Sequence, residues 1–199
     1  MSYIYKMSNA GGMSTVTRYA DMLAGNATFV DSSFESIATV TVGAGGTSSI
    51  AFTSIPATYQ HLQIRLLARS TQSTGTQNVN MSLNGGPGST WHRVFGNGTS
   101  TGANAQLSAS VIIGQISGAT AASGVFGVAT IDLLDYKETT KYKTARALFG
   151  FDDNNGGAGA VVQLFSGLYQ DLTAVSSITL TAGTGFAQYT SAALYGIKG

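Results

Sequence analysis

The sequence of 199 residues contains no cysteine. This absence excludes disulfide bonds, catalysis by a thiolate and zinc sites built from cysteine. Proline is also scarce, at two residues, and the chain has no apolar run of about 18 residues, the length that a bilayer-spanning helix needs. The sequence therefore predicts no membrane-spanning segment and no membrane partner.

Charged side chains are few as well. They make up 10% of the residues, against about 25% in an average soluble domain, and the formal net charge is +1. Binding of nucleic acid needs clustered lysine and arginine, so the sequence predicts no nucleic-acid partner. A nearly neutral surface protects poorly against self-association, which a protein assembled into a larger object tolerates.

The first residues, MSYIYKMSNAGG, lack the positively charged start and the continuous apolar segment of a secretory signal. We therefore expect the chain to be made in a cytoplasm. If the protein acts outside a cell, a route other than standard secretion takes it there.

Glycine, serine, threonine and asparagine fill many positions that lysine and glutamate take in other proteins, with 26 glycines in total. Helix formers are therefore sparse and turn residues plentiful, which favours an all-β fold. From residue 34 apolar and polar residues alternate, as in strands that are buried on one face. About ten strands are predicted, at 34–42, 49–53, 60–69, 78–84, 90–95, 107–116, 125–134, 145–151, 161–169, 177–181 and 190–197.

The spacing of these strands is typical of a sandwich. We predict that residues 33–199 form a jelly-roll-like β-sandwich, with about four to five strands in each of two sheets. The strands at 125–134 and 145–151 are predicted to pair through a solvated loop over 135–143, the most charged stretch of the chain.

Residues 1–32 differ from the rest, and we predict a short N-terminal arm there. Residues 14–25 form the good helix candidate, with Ser14 as N-cap and Gly25 after the last turn. A helix this short is marginal alone in water, so it docks either on its own domain or on a neighbouring subunit. The second alternative makes residues 1–32 an anchor. Its predicted partner-binding residues are apolar or aromatic: Tyr3, Ile4, Tyr5, Val16, Tyr19 and Leu23.

Candidate catalytic residues are isolated in the sequence. The chain has no Gly-x-Ser-x-Gly elbow that could supply a nucleophile to His61 or His92, so neither histidine belongs to a recognisable triad. Asp132 and Asp135 differ in parity and face opposite sides of a regular strand, which separates them as an acid and base pair. Salt bridges to the nearby lysines or to Arg146 are the better interpretation.

Two further groups of residues have alternative interpretations. Residues 152–157 have the composition of a calcium loop, but their spacing fits a plain turn better. The aromatic residues can form a platform for a sugar, with Trp91 and Tyr169 as candidate glycan contacts, or they can lie in the core or at subunit contacts. We favour the second interpretation, and we predict no metal and no cofactor.

Several segments resemble a family of structural proteins from tailed bacteriophages, notably those of cyanobacteria and marine bacteria. The first is 50–65, IAFTSIPATYQHLQIR. The next are 131–136, IDLLDY, and 141–144, KYKT, and the last are 177–180, SITL, and 194–198, LYGIK. The resemblance extends over about residues 34–199, and the leader GGMSTVTRYADMLAGN is also similar.

The resemblance implies a virion structural protein without enzymatic activity, and it supplies no catalytic residue. One hypothesis is a capsid decoration or cement protein, a homotrimer anchored by residues 1–32, whose partners are other virion proteins. The alternative is a tail-fibre or receptor-binding head, in which uncharged loops within 70–124 bind host surface glycans. An enzyme acting on surface polysaccharide is the weakest hypothesis.

Overall fold

Twelve β-strands in two sheets organise the computed structural model, which describes residues 33–86, 88, 90–107, 111–153 and 160–199. In chain order the strands are β1 Phe34–Thr41, β2 Thr47–Phe52, β3 His61–Ala68, β4 Thr76–Leu83, β5 Thr90–Gly96, β6 Thr101–Leu107, β7 Val111–Ser117, β8 Gly127–Leu134, β9 Lys143–Phe151, β10 Val161–Tyr169, β11 Ile178–Phe186 and β12 Ser191–Ile197. The fold is therefore all-β, as the sequence predicts. The predicted arm and helix, with all six partner-binding residues, lie outside the described residues.

The two sheets differ in width. The larger has eight strands in the order β1-β12-β3-β8-β9-β10-β5-β6, and the smaller has four in the order β2-β11-β4-β7. All neighbouring strands run antiparallel. The prediction of four to five strands in each sheet is therefore correct for the smaller sheet and wrong for the larger, because two hairpins, β5–β6 and β9–β10, both join the larger sheet.

Strand β6 is not predicted by the sequence pattern. Its residues, TGANAQL, do not alternate, and the strand predicted at 107–116 begins only where β6 ends. In the structure β6 pairs with β5 along its whole length, from Thr101 opposite Gly96 to Leu107 opposite Thr90. Backbone pairing, rather than burial of side chains, places this strand at the edge of the sheet.

The inner faces of the sheets enclose one hydrophobic core. Leu62, Ile64, Leu66 and Ala68 of β3 are buried, which confirms the alternation predicted there. Across the core β7 packs on β9 and β10. The sheets approach closely at Gly114, where an added Cβ would lie 2.2 Å from the ring of Phe149.

Candidate functional site

The outer face of the eight-stranded sheet, the one turned away from the smaller sheet, carries aliphatic side chains where solvent-facing strands normally carry polar ones. Six of them form what we call the aliphatic patch, and each is between 42% and 63% exposed. The patch consists of Leu67, Val94, Val128, Leu148, Val162 and Leu164. A contiguous exposed apolar surface of this kind marks an interaction site in most soluble proteins.

Strand register places these side chains in two adjacent rows. In the first row Leu67 pairs with Val128, and Gly150 separates Val128 from Val162. In the second row Leu148 pairs with Leu164, which pairs with Val94. Side chains in paired positions on one face are about 5 Å apart, so the patch is continuous across five strands, β3 to β5.

A polar row borders the patch on the same face. It runs through Gln63, Asp132, Arg146, Ser166 and His92, which are paired in this order across β3, β8, β9, β10 and β5. The side-chain amide of Gln63 donates to Asp132 at 2.9 Å, and an Nη2 atom of Arg146 lies 3.7 Å from the same carboxylate. The predicted salt bridge of Asp132 is thus present, and the row is held by contacts within the sheet.

Near the β1 edge the outer face becomes aromatic. The guanidinium of Arg65 lies 5.2 Å from the ring centre of Tyr195 and 5.8 Å from that of Phe34. Its Nε donates to the side-chain oxygen of Gln63 at 3.2 Å, which connects this cluster to the polar row.

Shallow depressions lie on this face in place of a deep cleft. One of about 450 Å³ contacts Val94, Leu164, His92 and Arg146. Another, of about 340 Å³, lies at the opposite side, where β12, β3 and β8 meet. Small-molecule sites usually enclose most of their ligand, whereas a broad and shallow face fits a second macromolecular surface.

The charged segment 135–143 is solvated only in part: residues 139–142 are exposed, as predicted, whereas Tyr136 and Lys143 are buried. Tyr136 is fully buried, and its hydroxyl donates to the carbonyl of Pro56. Lys143 is 1% exposed, and its ammonium donates to the carbonyls of Glu138, Lys141 and Asp171. Tyr136 and Lys143, which lie in segments that carry the family resemblance, are thus packed and fix the β8–β9 connection.

Asp135 ends β8 in a left-handed conformation, with φ of 49°. This turn takes its side chain out of the regular strand, so Asp132 and Asp135 line one depression of about 310 Å³ instead of facing opposite sides. The ammonium of Lys141 donates to the Asp135 carboxylate, and the amide of Gln60 does so as well. These hydrogen bonds, first that of Lys141 and then that of Gln60, lower the pKa of Asp135. A general acid needs the opposite shift.

Acid should therefore destabilise the fold through Asp135. Because its pKa is lower in the folded chain than the value of about 3.9 in an unfolded one, the carboxylate stabilises the fold above that pH. This stabilisation is lost as the pH falls through the folded pKa. We expect Asp135→Asn and Lys141→Met each to reduce the loss of Tm between pH 6 and pH 3, measured by circular dichroism. An acid response identical to that of the unaltered chain in both variants would contradict this assignment.

One histidine lies at the Asp135 turn and the other in the polar row. Nδ1 of His61 accepts the backbone N–H of Asp135 at 3.0 Å, and His92 lies in the polar row. Among the described residues no group of three or more His, Asp or Glu side chains could hold a metal ion. Most of the turn with the composition of a calcium loop, residues 154–157 of 152–157, lies outside the part that the structure describes.

The two candidate glycan contacts lie in the core, and this contradicts the glycan-contact prediction. Trp91 is 6% exposed and packs on Phe165, with ring centres 6.1 Å apart. Tyr169 is 1% exposed, and its hydroxyl donates to the carbonyl of Met81 at 3.1 Å. Both rings point inward because their strands place them on the face opposite the aliphatic patch. The favoured interpretation, core packing, is correct for both.

The aliphatic patch was missed, although the sequence carries a signal for it. Strands β8 and β10 read GVATIDLL and VVQLFSGLY, with apolar residues at successive positions. Such runs indicate strands that are apolar on both faces. Alternation assigns one face of each strand to the core, whereas these runs also make the other face apolar.

Comparisons of the chain with protein-family models, with curated proteins and with solved structures give no match. In the described part of the chain no helix has the length and apolar character needed to cross a membrane.

Proposed function

We propose that this chain is a non-enzymatic structural protein of a tailed-phage virion, built as a jelly roll and assembled through the outer face of its larger sheet. The aliphatic patch is the observation that carries the proposal. Six half-exposed aliphatic side chains in two rows suit a surface that contacts another molecule. Among the described residues, no group of side chains is arranged comparably well for catalysis.

The strand order supports the jelly roll. Without the hairpins β5–β6 and β9–β10, eight strands remain, and they pair first with last, second with seventh, third with sixth and fourth with fifth. These pairs are β1 with β12, β2 with β11, β3 with β8, and β4 with β7. Nested antiparallel pairing over two sheets is the arrangement of jelly rolls, which are frequent in viral capsid and lectin domains.

The inserted hairpins support an assembly role. Both add their strands to the same sheet, which doubles from four strands to eight while the other sheet stays at four. The added strands β9, β10 and β5 carry four of the six patch residues, Leu148, Val162, Leu164 and Val94. The insertions thus enlarge the surface that is available for contact.

Within the virion we propose a place on the capsid surface, as a decoration protein held by residues 1–32. This step rests on the family resemblance and on the separate character of those residues. The homotrimer of the decoration-protein hypothesis stays a prediction. The tail-fibre alternative also stays a prediction, although burial of Trp91 and Tyr169 removes the side chains on which its glycan contact depended.

Binding to purified phage shells tests the capsid role. We expect the full chain to sediment with shells stripped of their decoration, and residues 33–199 alone to lose most of this binding. Equal occupancy by the truncated chain would overturn the anchor, and absence of binding by both would overturn the capsid placement. Antibody labelling of intact particles, with no label on any part, would contradict the virion assignment itself.

A further inference from the structure

We propose that the outer face of the eight-stranded sheet binds the same face of a second copy of this chain, about a two-fold axis that runs parallel to the strands between β8 and β9. The proposal concerns the described residues alone, and it holds whether or not the chain belongs to a virion. It commits to pairs, whereas the decoration-protein hypothesis predicts a homotrimer.

The position of the axis follows from the strand order. With four strands on each side, the boundary between β8 and β9 is the middle of the sheet. A two-fold rotation about this line places β8 of one copy over β9 of the other and keeps each row opposite itself. Two such sheets pack about 10 Å apart with their strands within about 30° of parallel. The register near the axis is therefore preserved despite the twist.

Charge complementarity at the axis supports a second copy as the occupant. Asp132 on β8 and Arg146 on β9 belong to the same row, with their charged groups 3.7 Å apart. The rotation places Asp132 opposite the partner's Arg146, and Arg146 opposite the partner's Asp132. The result is a square of alternating charges, in which every carboxylate has two guanidinium neighbours.

The sizes of facing side chains also complement each other. In the row beside the charges, Thr130 of β8 comes to lie opposite the partner's Leu148, because Thr130 and Leu148 are paired in one copy. In the next row Val128 comes to lie opposite the partner's Gly150, since these residues are paired as well. A large side chain thus meets a small one at each of these positions, which allows the two faces to interdigitate.

The area of the face is what a stable pair needs. Eight strands spaced about 4.8 Å apart, each about 25 Å long, present roughly 900 Å². A standard protein interface buries about 800 Å² on each partner. Its centre carries aliphatic side chains, and the two charged groups beside the axis, Asp132 and Arg146, are paired with each other.

Sedimentation velocity of the full chain is the first test. At about 20 µM we expect a species of twice the 20.4 kDa chain mass. Leu148→Glu places a carboxylate in the patch and should weaken the pair by about 30-fold or more, the effect of losing a central contact residue. Leu172→Glu is the matched control, since Leu172 is 47% exposed and lies in the loop after β10, outside the patch. It should leave the mass unchanged.

A mixing experiment tests the axis itself. At the two positions beside the axis, Asp132→Arg leaves two guanidinium groups in each copy and Arg146→Asp leaves two carboxylates, so each variant alone should be monomeric. Mixed in equal amounts, they should form a heterodimer, because each facing position then joins unlike charges. If Asp132 and Arg146 interacted only within one chain, mixing the variants could not restore pairing. Circular dichroism checks that each variant is folded.

Several results would overturn the proposal. A monomeric or trimeric full chain at 20 µM would do so. An unchanged dimer in Leu148→Glu would show that another surface, such as residues 1–32, joins the copies. Failure of the mixture to pair, with each variant folded and monomeric, would reject the axis between β8 and β9.

Discussion

Replacement of Lys143 by alanine is expected to lower the free energy of unfolding by about 3 kcal/mol. The Lys143 side chain is 1% exposed, and its ammonium donates to three backbone carbonyls, those of Glu138, Lys141 and Asp171. Alanine leaves these carbonyls without their donor and removes the packing of the aliphatic stem. For a chain of this size the loss corresponds to a fall in Tm of about 6–12 °C.

Lys141→Ala is the matched control for this prediction. Lys141 is two residues away and is ion-paired with Asp135, but 56% of its side chain is exposed. Exposed ion pairs contribute about 1 kcal/mol or less at neutral pH. Thermal unfolding at pH 7 should therefore separate the two variants clearly. Equal and small losses would mean that the ammonium of Lys143 does not hold the β8–β9 connection together.

Replacement of Gly114 by alanine is expected to destabilise the fold by about 2–3 kcal/mol, because the new methyl group overpacks the core. An added Cβ would lie 2.2 Å from the ring of Phe149, a distance at which either the ring or β7 has to move. Chemical denaturation measures the loss. The double variant Gly114→Ala with Phe149→Leu should lose less than the sum of the two single losses, since the smaller side chain makes room for the methyl group.

Gly43→Ala provides the control for added volume. An added Cβ at Gly43 meets no atom within 4 Å, so its free energy of unfolding should change by about 0.5 kcal/mol or less. If Gly114→Ala were as stable as Gly43→Ala, the close approach of β7 to β9 would not be a tight contact of the core.

Alternation in the sequence located the strands that are buried on one face. Strand β10 lies at Val161–Tyr169, as the pattern predicts, and Val79, Met81 and Leu83 of β4 are buried as expected. These positions could be predicted because successive side chains of a regular strand point to opposite faces, so that every second residue is buried. Asp135 departs from this rule, because a left-handed backbone ends the strand there and turns the side chain toward Lys141.

The candidate site itself could not be located in this way. A patch on the outer face depends on which strands become neighbours, and pairs such as β3 with β8 or β5 with β10 join distant parts of the chain. Burial of the Lys143 ammonium likewise needs the carbonyl of Asp171, from another connection. Sequence spacing carries no information on such partners, whereas the apolar residues on both faces of β8 and β10 could have indicated an uncovered sheet.

The pairing of β1 with β12 has a consequence for synthesis of the protein. Strand β1 is at the edge of the sheet, and its neighbour β12 is far from it in the sequence, with Phe34 opposite Ile197. During synthesis β1 therefore leaves the ribosome long before its partner strand, and contacts of such long sequence separation form slowly. The eight-stranded sheet, and with it the complete outer face, forms only after β12 has been synthesised, which delays association of copies through this face until then.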